Sequence, residues 1–398
     1  MLLQHIAKGS SFYLTSLFLA YILGYDKFGE ISIGISIITI LLPISKLGLD
    51  SILVNEFNKN NNKKVLSTSF YLVFLTNIFL IFISSMFIFI FYKELWLSYS
   101  VLLLGFLFTC SQSIDSYYQY KIDYKKISIY KSAGYALSFF LKLIVAYFFP
   151  VLIYLSIILD FVIIFIFLIY IYDKNEIKFK YFSFEYSKLL IKKSSPIVIS
   201  SFVGYLSIKC NVFIINKYQS FTEVGLYNMS SYIFEGWCSI FYILTIAFMP
   251  YLIKSKETGE NNFKKEVINF FKKSYYIGII FLLFQIIIFL VAITYNINIL
   301  KELIIIFILS LGSIFLIFGY ISSRIFIMNG DQKLILYRNL ILLATTVSSS
   351  LVLTKIYGVY GSAIALSFGL FVSNMLIDIF NRNYKFLFLI KLKTISFT

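Results

Sequence analysis

Six ionisable side chains interrupt otherwise apolar stretches of this 398-residue chain: Asp115, Lys142, Asp160, Lys209, Glu235 and Asp378. A charge at the centre of a membrane-spanning helix costs about 2.5–3.5 kcal/mol on insertion scales, so it should face a partner or a cavity. Two arrangements fit the spacing. Lys142 with Asp160, and Lys209 with Glu235, lie on helices adjacent in sequence and can form intra-bundle ion pairs. The same side chains can instead line a central cavity between the two halves of the chain. There an ammonium, a compact point charge, suits a phosphate-bearing anion. Both arrangements stay open for the lysines, while Asp160 is expected to pair. Asp115 and Asp378 fall near helix ends and are expected to snorkel to water. Tyr205 and Asn211 offer hydrogen bonds either to sugar hydroxyls or between helices, the second being the commoner use.

Other chemistries lack their residues. No Gly-rich loop ends in Gly-Lys-Ser/Thr, no His-Glu-x-x-His occurs, and no Gly-x-Ser-x-Gly elbow is present. An ATP-driven pump, a zinc protease and a serine hydrolase are therefore not expected, and the chain is not read as an enzyme. His5 is the single histidine, which excludes a His cluster. Cys110, Cys210 and Cys238 sit in apolar segments without pairing or metal spacing and read as small core residues. No metal or cofactor is expected.

The elements that must carry these residues are helices in lipid. The chain is 60% hydrophobic and 14% charged. A soluble domain carries roughly 25% charged residues, so this chain cannot cover a water-facing surface. Spanning hydrocarbon takes roughly 20 apolar residues per helix. Twelve helices are placed near 6–23, 29–48, 67–92, 95–118, 127–149, 151–172, 194–216, 224–250, 274–294, 299–323, 334–354 and 358–380. No cleavable signal peptide is expected. Pro43, Pro196 and Pro250 fall in or at the ends of helices and read as static kinks.

Lysine and arginine sort these spans by side. With the N-terminus in the cytoplasm, the loops and tail on that side carry nearly all the loop cations, including Lys8, Lys131, Lys174, Arg338, Arg382 and Lys391. The other side holds only Lys27, Lys93, Lys217, Lys301 and Lys355. The asymmetry follows the positive-inside rule and places both termini in the cytoplasm. It also explains the formal charge of +16 without nucleic acid. Trp96 falls at an outer interface.

A weak repeat divides the chain. Residues 24–36 and 220–232 align with Phe28-Gly29 opposite Val224-Gly225. Two parallel six-helix lobes are expected, 1–172 and 194–380, joined by a cytoplasmic linker 173–193 and followed by a cytoplasmic tail 381–398. The fold class is thus an all-α integral membrane protein of about 12 transmembrane helices in two lobes around a central cavity.

Four short segments carry a family resemblance. Leu19-Ala20-Tyr21-Ile22-Leu23-Gly24-Tyr25-Asp26-Lys27-Phe28-Gly29 resembles the Ala-x-x-Leu-Gly-x-x-x-Phe/Tyr-Gly segment of Wzx-type polysaccharide biosynthesis (O-antigen or repeat-unit) flippases. These belong to the multidrug/oligosaccharidyl-lipid/polysaccharide exporter superfamily. Leu47-Gly48-Leu49-Asp50-Ser51, Glu223-Val224-Gly225-Leu226-Tyr227 and Tyr357-Gly358-Val359-Tyr360-Gly361-Ser362-Ala363-Ile364-Ala365 resemble further family segments, in the right order. The chain departs from the pattern at Asn55-Glu56, where many relatives carry Arg.

The resemblance implies two lobes around a cavity and translocation of an undecaprenyl-diphosphate-linked oligosaccharide across the bacterial inner membrane. The product would serve O-antigen, lipopolysaccharide or capsule. Lys142, Lys209, Asp160 and Glu235 are the candidate substrate-binding residues. The expected partners are the lipid-linked oligosaccharide, membrane lipid, H+ or Na+ as a coupling ion, and polysaccharide polymerase machinery. A multidrug/cation antiporter using Asp160 or Glu235, or a peptidoglycan-precursor flippase, are the alternatives.

Overall fold

The computed structural model describes residues 2–121, 124–171, 177–294, 300–379 and 384–395. Lys174 and Arg382 lie outside them, as do the side chains of His5, Lys125, Lys126 and Pro250.

Every regular element among the described residues is helical. Lipid enforces this, because only a helix satisfies its own backbone polar groups within one segment. The helices are α1 (Leu2–Ser45), α2 (Leu53–Lys59), α3 (Asn62–Phe91), α4 (Trp96–Leu103), α5 (Gln112–Tyr120), α6 (Tyr124–Phe148) and α7 (Ile153–Ile171). They continue with α8 (Phe184–Tyr218), α9 (Phe221–Glu257), α10 (Glu260–Thr294), α11 (Leu300–Met328), α12 (Lys333–Met375) and α13 (Lys385–Ile395).

Nine stretches among the described residues are long and apolar enough to cross a membrane. Two of them hold two arms each, because Gly24 (φ 75°) in α1 and Gly358 (φ 58°) in α12 leave helical geometry. Only glycine adopts such positive φ without a Cβ penalty. With the 37-residue α9, the arms agree with the expected twelve spans. The breaks fall at these glycines; Pro43 and Pro196 lie inside continuous helix.

The chain forms two compact units. Unit 1 holds residues 1–24 and 31–202; unit 2 holds 25–30 and 203–398. The division runs through α8. In unit 1, the described part of the expected linker 173–193 is packed structure. The Lys178 and Ser183 amides donate to Ser67 Oγ and Thr68 Oγ1 of α3, and α8 begins already at Phe184. The core here gathers Leu49, Leu53, Phe57, Leu66, Ile114, Tyr117 and Leu190.

In unit 2 the core forms around Phe241, Phe271, Phe318, Ile321, Phe326, Tyr384 and Leu387. The expected tail is not free. Residues 385–395 form α13, whose Leu387 and Lys391 are fully buried. Lys391 Nζ donates to Asp378 Oδ2 at 2.6 Å and to the Asn374 carbonyl at 2.7 Å. Lys391 is therefore not a cytoplasmic surface charge, and Asp378 does not snorkel. Each is the other's counter-ion, at a depth where an unpaired charge would be prohibitive.

Candidate functional site

A cavity of about 250 Å³ lies within unit 1. The first arm of α1 supplies Lys8, Thr15 and Ser16, and the second supplies Thr39, with Lys46 just beyond its end. Helix α5 supplies Gln112 and Asp115, α6 supplies Lys131, Tyr135 and Lys142, and α7 supplies Asp160 and Phe161.

The local fold explains part of this wall. Between α4 and α5 the chain winds as a 3₁₀ helix over Leu104–Ser111, long for that conformation. Asn77 of α3 drives its amide into the turn, donating to the Phe106 carbonyl at 2.8 Å and to Thr109 Oγ1 at 2.9 Å. Ser45 Oγ meets Thr109 Oγ1 at 3.0 Å. A side chain inserted into the backbone ladder accounts for the departure from α-helix. The result holds Thr109, Ser111 and Gln112 on the cavity wall, with Gln112 Nε2 donating to the Lys46 carbonyl at 2.6 Å.

Four lysines and two aspartates line the cavity. Lys142 Nζ lies 2.5 Å from Asp160 Oδ2, and Ser138 Oγ donates to Asp160 Oδ1 at 2.5 Å. Lys131 Nζ lies 2.7 Å from Asp115 Oδ2. Lys8 and Lys46 have no ion pair among the described residues. The wall thus carries two more positive than negative charges.

The expected residues separate into two groups. Lys142 and Asp160 form the first anticipated pair and line the cavity. Lys209 and Glu235 form the second, in unit 2, at 2.5 Å, with Lys209 also 4.9 Å above the Tyr232 ring. Asn211 serves as helix glue: its amide donates to the Tyr227 hydroxyl at 3.0 Å and the Ser362 carbonyl at 2.9 Å. Asp115, expected to snorkel, is held by Lys131 instead. Lys131 itself, counted among the loop cations, is buried in α6. Lys8, Lys46 and Lys131 are the cavity cations that the sequence did not single out. Their signal was available, since all three fall inside the spans placed at 6–23, 29–48 and 127–149, close to their ends.

A second polar cluster in unit 1 joins α2, which is not among the membrane-crossing stretches, to the first turns of α8. Glu56 of α2 is buried and accepts from Lys193 Nζ (2.7 Å), the Tyr186 hydroxyl (2.8 Å) and Asn60 Nδ2 (3.2 Å). Burial alone would raise its pKa, but the Lys193 ammonium and the Tyr186 hydroxyl outweigh it and hold the carboxyl below its usual value. Glu56 is thus the acceptor that ties α2 to α8.

A sequence profile described as polysaccharide biosynthesis protein matches residues 18–242, more than half of the chain. The chain belongs to the polysaccharide biosynthesis protein family. No curated protein matches. Among solved structures, an inward-facing multidrug-resistance MATE-family transporter of the MOP superfamily is similar with a TM-score of 0.72 at 15% identity, covering 95% of each chain. The lipid II flippase MurJ, in an inward closed conformation, is similar at 0.71 and 15% identity, covering 100% of this chain and 91% of its own. A MOP-superfamily transporter from Pyrococcus furiosus gives 0.65 at 13% identity over 99% and 94%. At these identities the likeness is one of fold, and it is the exporter-superfamily fold that the four short segments implied. The family member described here is therefore an all-α, multi-pass membrane protein.

Proposed function

We propose that the protein is a flippase that carries undecaprenyl-diphosphate-linked oligosaccharide repeat units across the bacterial inner membrane, for surface polysaccharide such as O-antigen or capsule. Membership of a polysaccharide biosynthesis family supports the pathway. The observation that carries the substrate class is the positive surplus on the wall of the unit 1 cavity, where Lys8 and Lys46 make no ion pair among the described residues. A diphosphate diester brings two negative charges to such a wall, where Lys131 and Lys142 are buried and Lys46 half-buried, and ammonium groups shielded from water bind it more strongly than in water. The same surplus opposes a cationic drug. Lys142 and Asp160 contact substrate within this cavity, and Lys209 with Glu235 is the contribution of unit 2. Both termini face the cytoplasm, where Lys and Arg accumulate, and the flipped glycan passes to polysaccharide polymerase machinery outside. An H+ or Na+ gradient, or consumption of the glycan outside, drives the step.

The test is a deletion strain. Repeat units on undecaprenyl diphosphate should accumulate and surface polysaccharide should fall, and a wild-type copy should restore both. A normal glycolipid pool and normal surface, with raised sensitivity to cationic drugs, would overturn the reading in favour of an antiporter. Loss of viability without change in the polysaccharide would point to a peptidoglycan precursor.

A further inference from the structure

The cavity charges are not spread evenly along its wall. Lys8 lies near the start of α1, Lys46 just beyond its end, Asp115 in the first turn of α5 and Lys131 near the start of α6. Lys142 stands about three turns further along α6, roughly 16 Å at 1.5 Å per residue. A diphosphate is shorter than that backbone separation.

The two groups also differ in electrical state. At the first, Lys8, Lys46 and Lys131 outnumber the one nearby lining carboxylate, Asp115, while Asp160 and Asp50 act on Lys8 from longer range. Asp115 holds Lys131 through Oδ2, while its buried Oδ1 has no hydrogen-bond partner among the described residues. At the second, Lys142 is matched one for one by Asp160, whose two oxygens are both taken, by Lys142 and by Ser138. An anion approaching Lys142 meets a paired group of no net charge.

We propose that the unit 1 cavity contains two anion stations in series along α6: an open mouth station at Lys8, Lys46 and Lys131, and a deep station at Lys142 that Asp160 keeps closed. The ligand class, a diphosphate, rests on the flippase reading; the order of the stations rests on the charge layout alone. Asp160 is the gatekeeper. When its carboxylate leaves Lys142, that ammonium and the Ser138 hydroxyl, one turn apart on α6, become two donors for the anion arriving from the mouth. Asp115 is a positioning residue that holds Lys131 at the mouth.

The stations are counted by calorimetry on the full-length protein in phosphatidylcholine nanodiscs, with inorganic pyrophosphate as the probe. A parallel arm uses undecaprenyl diphosphate incorporated in the disc, and a third uses discs containing phosphatidylglycerol. Wild type should bind one equivalent of pyrophosphate. Lys8→Ala with Lys46→Ala should weaken it at least tenfold. Asp160→Asn should reveal a second equivalent, and Asp160→Asn with Lys142→Ala should remove it again. Ser138→Ala, which loosens Asp160 without touching either charge, should also raise affinity at the second site. Competition by the lipid diphosphate assigns the stations to a lipid-linked substrate; competition by phosphatidylglycerol alone overturns that assignment. The proposal fails if the double lysine variant binds as wild type, or if neither Asp160→Asn nor Ser138→Ala exposes a second site. Failed binding beside glycolipid accumulation in the deletion strain overturns the stations and leaves the flippase reading standing. Two-site binding without accumulation does the reverse.

Discussion

Gly29 and Gly225 stand back to back in unit 2, each against the other's helix. A Cβ on Gly29 would lie 1.9 Å from the Phe221 carbonyl oxygen, and one on Gly225 would lie 2.1 Å from the Tyr25 carbonyl oxygen. In the repeat these positions correspond: Tyr25 aligns with Phe221, Asp26 with Thr222, and Gly29 with Gly225. The two copies of the repeat therefore meet reciprocally, as in an isologous contact. Thr222 Oγ1 donates to Asp26 Oδ1 at 3.3 Å across the same crossing. Tyr25 reaches further, donating to Glu302 Oε1 at 2.7 Å. This explains why residues 25–30 belong with unit 2 although the rest of α1 belongs with unit 1.

Alanine at either glycine should therefore force the helices apart. Overpacking of a tight contact costs about 1–3 kcal/mol, and here the obstructing atoms are backbone. Gly29→Ala and Gly225→Ala should each lower the thermal midpoint of the purified protein, and the double variant should cost less than the sum, because the first substitution already opens the crossing. Gly278→Ala, whose Cβ would meet only Ile314 Cγ1 at 3.5 Å, should leave the midpoint nearly unchanged.

Removing one partner of the cavity pair should be worse than removing both. Lys142→Ala strands Asp160 in the wall, and breaking a buried pair from one side costs about 3–5 kcal/mol. Lys142→Met with Asp160→Leu should recover most of that stability. It should not recover surface polysaccharide in the deletion strain, since the ammonium is gone. Thermal unfolding and polysaccharide gels on the same variants separate the two roles.

The Lys209–Glu235 pair of unit 2 gives a parallel comparison. Lys209→Ala should destabilise by a similar amount and lower export. Lys209→Met with Glu235→Leu should restore the melting midpoint while export stays low. Full export by the double variant would remove Lys209 and Glu235 from the proposed site.

Glu56 should make the protein acid-sensitive. Its carboxyl is held below the usual 4.5 in the folded state. The stabilisation is thus fully present above about pH 4.5 and is lost as the pH falls through the lower, folded-state value. Glu56→Gln should melt below wild type at pH 7, and the gap should narrow as the pH is lowered from 5 to 3. A constant gap across that range would mean that charge is not the source.

Helix α13 should be required for unit 2. Lys391→Ala leaves Asp378 buried without its counter-ion, so the melting midpoint and the detergent-extracted yield should both drop sharply. Lys391→Met with Asp378→Asn should restore them in large part.

Composition and the spacing of apolar runs determined that this chain is helical, multi-pass and about twelve spans long, because lipid leaves the backbone no other solution. Short segments around Leu19–Gly29 and Tyr357–Ala365 were enough to point to the superfamily. Adjacency in sequence was enough to foresee Lys142 with Asp160 and Lys209 with Glu235, since neighbouring antiparallel helices bring such residues together at matching depth. Tertiary structure alone decided the rest. Lys131 looked like a loop cation and Lys391 like a tail cation, because hydropathy windows assign a charge at a helix end to water. Each instead pairs with an aspartate contributed by another element, and that meeting depends on packing that no window reports. The cavity followed the same logic. Lys8 and Lys46 lie at opposite ends of α1, and only the break at Gly24, which folds its arms back, brings both to one wall.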